Sequence, residues 1–503
     1  MFEKVGFRNL GEHLQALLLA HCVRICAALV IVFTYFLAQP VSVSSDETSA
    51  LTKRFNFKIQ TIPNQSSNKT ITRHEVGVHR DVRHLIGMVT SAGAGVAVGD
   101  LDGDGLANDL CLTDPRTHSA IVMPAPGSGQ RYTAKELVAP PRAVDQPVNY
   151  PSGCLIVDIN EDGANDTIVY YGTRPPVAFL RHEDNFIAQD LLPGSNEIWT
   201  TSAGLAADFD GDGHLDLVFG TYYPDDARMY DPTDSTPVRL NASLGNATNS
   251  GHTHFFLFER TIAETPPRVQ MRRVFDALPE HISRGWTLAI GARDLNGDLK
   301  PELYLANDYG PDRLLVNRSR PGQLAFRSAV GARSFAMPKS KSLGHDTYKG
   351  MGVDFGNLDD DGYPDIVVST VTSDFAFEES NFAFRNIGAT GRLAEGHAIF
   401  VDDSESLGIS RSGFSWDIRF GDFDNDGTDE LVQATGFIAG TKNQWPELHE
   451  QAIANPTLMT FPAAWANNSG EHDVSGKEPN RFWVKNSRGR FIDIAKALGL
   501  DTD

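Results

Sequence analysis

GLAADFDGDGHLDLVFG, residues 204–220, is the stretch that decides the fold. A run of small and apolar residues enters an acidic loop of Asp208, Asp210, Asp212, Gly213 and Asp216, and a second apolar run, Leu217 to Gly220, leaves it. Oxygen donors at loop positions one, three and five converge on one point when the backbone curls, and position six must turn sharply, which glycine tolerates because it adopts positive φ. Position seven offers its carbonyl, and the acid at position nine closes the shell. Clustered carboxylates repel one another unless a cation neutralises them. The spacing suits calcium, which takes six to eight oxygens at about 2.3–2.6 Å, better than magnesium, which keeps several waters in a rigid octahedron.

Five other segments align on this one. The first offers Asp100, Asp102, Asp104 and Gly105, with Asn108 at position nine, or Asp109 if one residue is inserted. The second offers Asp158, Asn160, Asp162, Gly163 and Asp166. The fourth has Asp294, Asn296, Asp298 and Glu302 but Leu299 where glycine is expected. The fifth and sixth read Asn357, Asp359, Asp361, Gly362, Asp365 and Asp422, Asp424, Asp426, Gly427, Glu430. An EF-hand needs Glu at position twelve and flanking helices. Here position twelve is Cys111, Val169, Phe219, Leu305, Val368 or Gln433, all inside apolar strands. The competing reading is a set of metal-free Asp-Gly hairpin turns, strongest for the fourth copy. The expectation is up to six calcium ions.

Recurrence of one unit means that each copy buries its core against its neighbours. The units are long enough for four strands, and apolar segments that suit third and fourth strands follow each loop, such as 312–317 with 324–328 and 481–485 with 489–494. Helical patterning is sparse, the best candidate being 445–454. The expected fold class is all-β, a β-propeller of four-stranded blades, over residues 93–503.

The acid triplets followed by glycine, set between Gly/Ala-rich and Leu/Val-rich strands, resemble FG-GAP/VCBS repeats, the units of integrin-α-like propellers and many exported bacterial proteins. The resemblance covers residues from about 90 to about 500. Phe482-Trp483-Val484 through Phe491, Asp493, Ala495 and Leu498-Gly499-Leu500 also resembles the propeller part of ASPIC/UnbV-type proteins. Such propellers commonly have seven blades. The six loops therefore imply either a six-bladed ring or an incomplete seven-bladed one, with residues 46–92 as an N-terminal extension contributing part of a closing blade through a strand at 55–62.

At the N-terminus Arg24 introduces an apolar run from Ile25 to Ala38, followed by Pro40 and Ser42 to Ser45. That run has the length of a signal-peptide core and is short for a bilayer span, so residues 1–45 read as a cleaved leader or, alternatively, an anchor beginning at Leu14. Both place the remainder outside the cytoplasm, with membrane contact only through an uncleaved N-terminal segment. Cys111 and Cys154 flank the first and second loops; in an oxidising compartment they either pair or remain two buried thiols. A formal net charge of −21 argues against nucleic acid, which is bound through clustered Lys and Arg.

Segments entering the first strand of each blade crowd the mouth opposite the acidic loops. They carry Trp199, Arg284, Trp286, His345, Tyr348, Lys349, Arg411, Trp416 and Asp417, together with Asp346. Convergent aromatic and charged groups at a concave centre suit a ligand, a glycan or a protein loop. The chain thus reads as an interaction module. The alternative is a calcium-dependent enzyme acting on polysaccharide or a natural-product intermediate, with His345, Tyr348 and Lys349 as first acid/base candidates. No nucleophile elbow, HExxH helix, phosphate loop or dinucleotide fingerprint supports catalysis. His252 and His254 share a strand face suited to a transition metal or simply to solvent, and the Ser/Asn/Gly-rich insertion 231–251 reads as a mobile surface loop.

Overall fold

A computed structural model of the chain describes residues 21–36, 43–62, 77–91, 94–114, 117–129, 131–145, 149–265, 267–333, 335, 337–373, 379–453 and 455–501. Six four-stranded antiparallel sheets follow one another along the sequence as the blades of a β-propeller. Blade one comprises Val96–Gly99, Asp109–Asp114, Ser119–Pro124 and Lys135–Glu136. Blade two comprises Pro151–Val157, Asp166–Tyr171, Val177–His182 and Asn185–Asp190. Blade three is built from Thr201–Ala207, Asp216–Thr221, His254–Ile262 and Arg268–Val274. Blade four is built from Thr287–Arg293, Glu302–Asn307, Arg313–Asn317 and Phe326–Ala329. Blade five has Gly352–Gly356, Asp365–Ser369, Phe382–Asn386 and Phe400–Asp402, and blade six has Ser415–Gly421, Glu430–Thr435, Arg481–Lys485 and Phe491–Asp493.

The second strands explain the stacking. Asp216–Thr221, Glu302–Asn307 and Asp365–Ser369 are buried at every position, which requires a neighbouring blade on each face and therefore an unbroken apolar run rather than strict alternation. Phe219 and Phe256 of blade three meet Ile168 and Leu180 of blade two in one such core, and Val218 and Phe255 meet Leu303 and Leu305 of blade four in the next. The first strands of consecutive blades lie side by side from blade one to blade six. Cys111 of blade one and Cys154 of blade two form a disulfide with a Cα–Cα distance of 6.5 Å.

Between blade six and blade one lies a seam. On blade one Gly99 faces Ile156 of blade two, whereas Val96 and Val98, on the other side of the strand, are 63% and 59% exposed. Residues 55–62 form no strand. They run along the seam instead: Phe55 and Phe57 pack edge-on against Phe482 of blade six at 5.1 and 5.3 Å, and the Gln60 amide reaches Gly127 in the turn after blade one's third strand.

One end of the axis is capped. Val82, Leu85 and Val89 from the helical turns Arg80–Leu85 and Ile86–Val89 are buried with Tyr150, Tyr230, Val238 and Leu240. The insertion 231–251 is thus packed rather than loose, because Leu240 N donates to Thr460 O and Ala247 N to Tyr309 O. Helix Trp445–Ile453 lies in the long connection of blade six, as its pattern predicts.

The chain divides into Met1–Ala50 and Leu51–Asp503. In the first unit residues 21–36 are helical, with Leu29, Ile31, Phe33 and Phe36 exposed. No helix among the described residues is long and apolar enough to cross a membrane; residues 1–20 and 37–42 of the expected leader lie outside them.

Candidate functional site

Each acidic loop joins the first and second strands of its blade, so the antiparallel hairpin holds both ends of the loop while its middle curls. The curl is the same in all six. The residue at position six has φ of +85° at Gly105, +87° at Gly163, +92° at Gly213, +85° at Gly362 and +87° at Gly427, and Leu299 is forced to +67°. In the five loops that open on Asp its amide donates to the carboxylate at position one, as in Gly213 N to Asp208 and Leu299 N to Asp294, both at 2.9 Å. The position-nine acid reaches back to the amide at position two in every copy, as in Phe209 N to Asp216 at 3.0 Å and Phe423 N to Glu430 at 2.9 Å. In the first copy Leu101 N donates to Asp109 at 2.6 Å, so Asp109 holds position nine and one residue is inserted before it.

Electrostatics follow from burial. Burial pushes Asp166, Asp216, Glu302 and Glu430 up to about 7 and Asp365 up to about 6, with neighbouring loop carboxylates adding to the rise and backbone amides opposing it. Ligand oxygens of Asp100, Asp102 and Asp104, of Asp208, Asp210 and Asp216, and of Asp422, Asp424 and Glu430 lie within 4.8 Å of one another. That separation matches oxygens on opposite sides of an ion bound at about 2.3–2.6 Å. In the fifth loop the Asn357 Oδ1 is buried without a hydrogen-bond partner, as an oxygen reserved for a cation would be. The donor sets therefore fit a hard divalent ion, with one qualification of chemistry: Arg131 reaches into the first loop and Arg54 into the sixth.

A cavity of about 640 Å³ lies on the axis at the mouth away from the loops. Ser152, Ser202, Ala289, Met351 and Trp416, from the first strands of blades two to six or the residue leading into them, line it. Tyrosines dominate its capped end. Tyr150 stacks on Tyr230 at 3.9 Å, and Tyr222 donates its hydroxyl to Asp308. Burial holds the hydroxyls of Tyr222, Tyr223, Tyr230 and Tyr309 far above their usual range, so they stay donors, and burial also raises Asp308 against the opposing pull of Tyr222 and Lys349. Lys349 pairs with Glu379 at 2.8 Å, and Arg419 donates to Asp417 at 3.0 Å.

Of the mouth residues expected from sequence, Lys349, Trp416 and Asp417 line this cavity. Trp286 stands behind its wall, packed against Tyr222 at 4.9 Å and Tyr309 at 5.5 Å. Trp199 is buried between blades, stacked on His254 at 3.6 Å and bonded to Glu197. Arg284 donates to Ser250 O and pairs with Glu280, Arg411 pairs with Glu405, and Tyr348 stacks on Phe382 at 5.4 Å. His345 sits in the turn that its amide closes on Ser342 O. Asp346 is buried, accepting from Asp312 N and Gly344 N. His252 is held by Asp225 and Glu280, separately from the stacked His254. Tyr222, Tyr223, Asp308 and Tyr309 were not among the expected residues. They leave second strands, and a hairpin brings second-strand exits to the same mouth as first-strand entrances.

Residues 294–368, the fourth and fifth loops with the strands between them, match the family model of the FG-GAP-like repeat. No curated protein matches the chain. Among solved structures it is similar to a rhamnogalacturonan lyase of Bacillus licheniformis, with 12% identity over 67% of this chain and 57% of that one and a TM-score of 0.33. It is also similar to the rhamnogalacturonan lyase YesW, with 14% identity, 67% and 56% coverage and a TM-score of 0.33, and to BBS1N in its complex with ARL6DN, with 10%, 55%, 75% and 0.25. The chain thus spans about 57% of the first of these lyases and about 56% of the second.

Proposed function

We propose that this propeller is an exported, calcium-stabilised interaction module that binds a glycan or a protein loop in its axial cavity. The observation that carries the reading is the cavity itself. Its volume lies within the roughly 300–1,000 Å³ range of ligand pockets, and its walls combine aromatic faces with a few fixed charges. Trp416 and the tyrosines offer stacking surface, and the Asp417–Arg419 pair offers donors and acceptors beside it. Calcium at the loops would fix the hairpins that frame the opposite face, which is a structural duty distinct from the ligand site. Export is supported by the apolar N-terminal run, the Cys111–Cys154 disulfide and the FG-GAP-like repeat.

The test is a glycan-array and protein-ligand screen on the purified chain, followed by calorimetry on the best ligand. Trp416→Ala and Asp417→Asn should each weaken binding at least tenfold without lowering the melting temperature by more than a few degrees. Undiminished affinity in both variants refutes the assignment of the site. Analysis of the bound glycan for cleavage in the same experiment separates a receptor from an enzyme.

A further inference from the structure

Arg54 Nε lies 2.5 Å from Asp424 Oδ2, and its Nη2 lies 2.5 Å from Asp426 Oδ2 and 3.3 Å from Glu430 Oε1. Arg131 bonds Asp102 and Asp109, lies 3.4 Å from Asp104 Oδ2 and donates to Asn108 O at 2.8 Å. In both cases one guanidinium touches loop positions three, five and nine, the side chains that would otherwise face an ion. Loops two to four are different. Among the described residues, Asp210 accepts from Gly322 N, Asp216 from Phe209 N and Phe258 N, Asp166 from Ile159 N and Arg181 N, and Glu302 from Leu295 N and Asn296 Nδ2. Their partners are amides, which orient the carboxylates without neutralising them. In loop five Arg385 stands 3.7 Å from Asp359, but its close partner is Asp403 at 2.6 Å.

For the sixth loop the place of Arg54 in the ring gives the reason. A loop is ordinarily touched by the outer half of the next blade. Arg181 of blade two reaches Asp102 O, Thr261 of blade three reaches Asn160 O, Asn317 of blade four reaches Phe209 O, and Lys485 of blade six reaches Asn357 O. No described blade follows blade six, and the segment carrying Arg54 takes that position. Arg131 lies in the connection that follows Gly127, the turn that Gln60 of the same segment reaches. We infer that the first and sixth loops are closed by the guanidinium groups of Arg131 and Arg54 in place of a divalent ion, and that Arg54 thereby pins residues 51–62 across the seam. Glu430 and Asp109 are buried at these sites, and a buried acid that loses its cationic partner is strongly destabilising.

The inference rests on the calcium reading for its ion count but not for its stability arm. The full chain, stripped with EDTA, is titrated with calcium chloride and its bound ions are counted by native mass spectrometry. The wild type should take up at most four ions, and Arg54→Ala and Arg131→Ala one more each. Asp424→Asn/Asp426→Asn in the wild-type background should leave the count unchanged, whereas Asp208→Asn/Asp210→Asn should lower it by one. In EDTA Arg54→Ala should melt lower than wild type, and millimolar calcium should restore the difference. Six ions in the wild type, or an Arg54→Ala variant with unchanged count and unchanged melting, overturns the inference. If no variant binds calcium, the calcium reading falls, and melting of Arg54→Ala in EDTA then decides: a lower temperature supports the arginine closure and an equal one overturns it. If Arg54→Ala does not fold, the wild-type count and the Asp424→Asn/Asp426→Asn pair decide instead: four ions or fewer with no change in the pair supports the closure, and six ions or a loss in the pair overturns it.

Discussion

Calcium at the four loops that lack an inserted arginine should dominate the stability of the ring. A ligand bound only by the folded state at one hundred times its dissociation constant contributes about 2.7 kcal/mol per site, so four sites contribute about 11 kcal/mol. Unfolding entropy near 2.1 cal/mol/K per residue gives about 1 kcal/mol/K for the roughly 450 residues of the larger unit, and the melting temperature should therefore rise by about 11 °C. The hairpin geometry makes this credible as a property of the fold. Each position-nine acid holds the loop at one oxygen and, in Asp166, Asp216 and Asp365, the third strand at the other. An ion bound by that acid tightens three strands at once. The assay is calorimetry at one scan rate in EDTA, in millimolar calcium and in millimolar magnesium. Asp210→Asn should remove about a quarter of the calcium increment, close to 3 °C. A rise below about 2 °C on adding calcium, or an equal rise with magnesium, refutes the reasoning.

Three further outcomes are expected. Leu299 sits at φ +67° with its side chain 89% exposed, so Leu299→Gly loses little packing, relieves a left-handed strain of about 1–2 kcal/mol, and should raise the denaturant midpoint. Cys111→Ser/Cys154→Ser opens a link that spans 43 residues. By the chain-entropy relation that costs about 4 kcal/mol, which should show as a fall of about 4 °C in melting temperature; an unchanged value would mean the bridge adds nothing. Burial raises Asp346 to about 7, above an unfolded value near 4, and raises Asp312 beside it as well, so the fold favours a protonated pair. The stability this protonation confers is complete below about pH 4 and is lost as pH rises through about 7. Melting temperature should consequently decline between pH 5 and pH 8, with a shallower slope in Asp346→Asn.

The loops and the strands beside them were readable because their chemistry is local: carboxylates at fixed spacing, a turn at position six and an apolar run on each side. The choice between Asn108 and Asp109 was not, since it depends on which carboxylate reaches the Leu101 amide. Trp199 and Trp286 stand just before their strands and Trp416 just inside its own, yet of the three only Trp416 lines the cavity. Which way a side chain turns at the end of a strand is set by what packs beside it, here His254 of the same blade's third strand beside Trp199 and Tyr222 of the preceding blade beside Trp286. Arg54 left no signal at all, being 370 residues from the carboxylate it bonds.

A ring assembled from repeats has its weakest points at the two ends, where a blade lacks a neighbour on one face and its core residues meet solvent instead of another sheet. This chain treats its ends differently from its interior blades. Blade one, with Val96 and Val98 exposed toward the seam, is tied to blade two by the disulfide, whereas blade six is covered by Phe55 and Phe57 and fastened by Arg54. The interior blades rely on face-to-face apolar packing and on loops whose position-nine carboxylates accept from backbone amides. Arg54 lies at the seam, where a counter-charge supplied by the chain also supplies a contact between segments, which a soluble ion does not; Arg131 joins two connections of blade one itself. Removing calcium should then loosen the interior hairpins first and leave the seam closed.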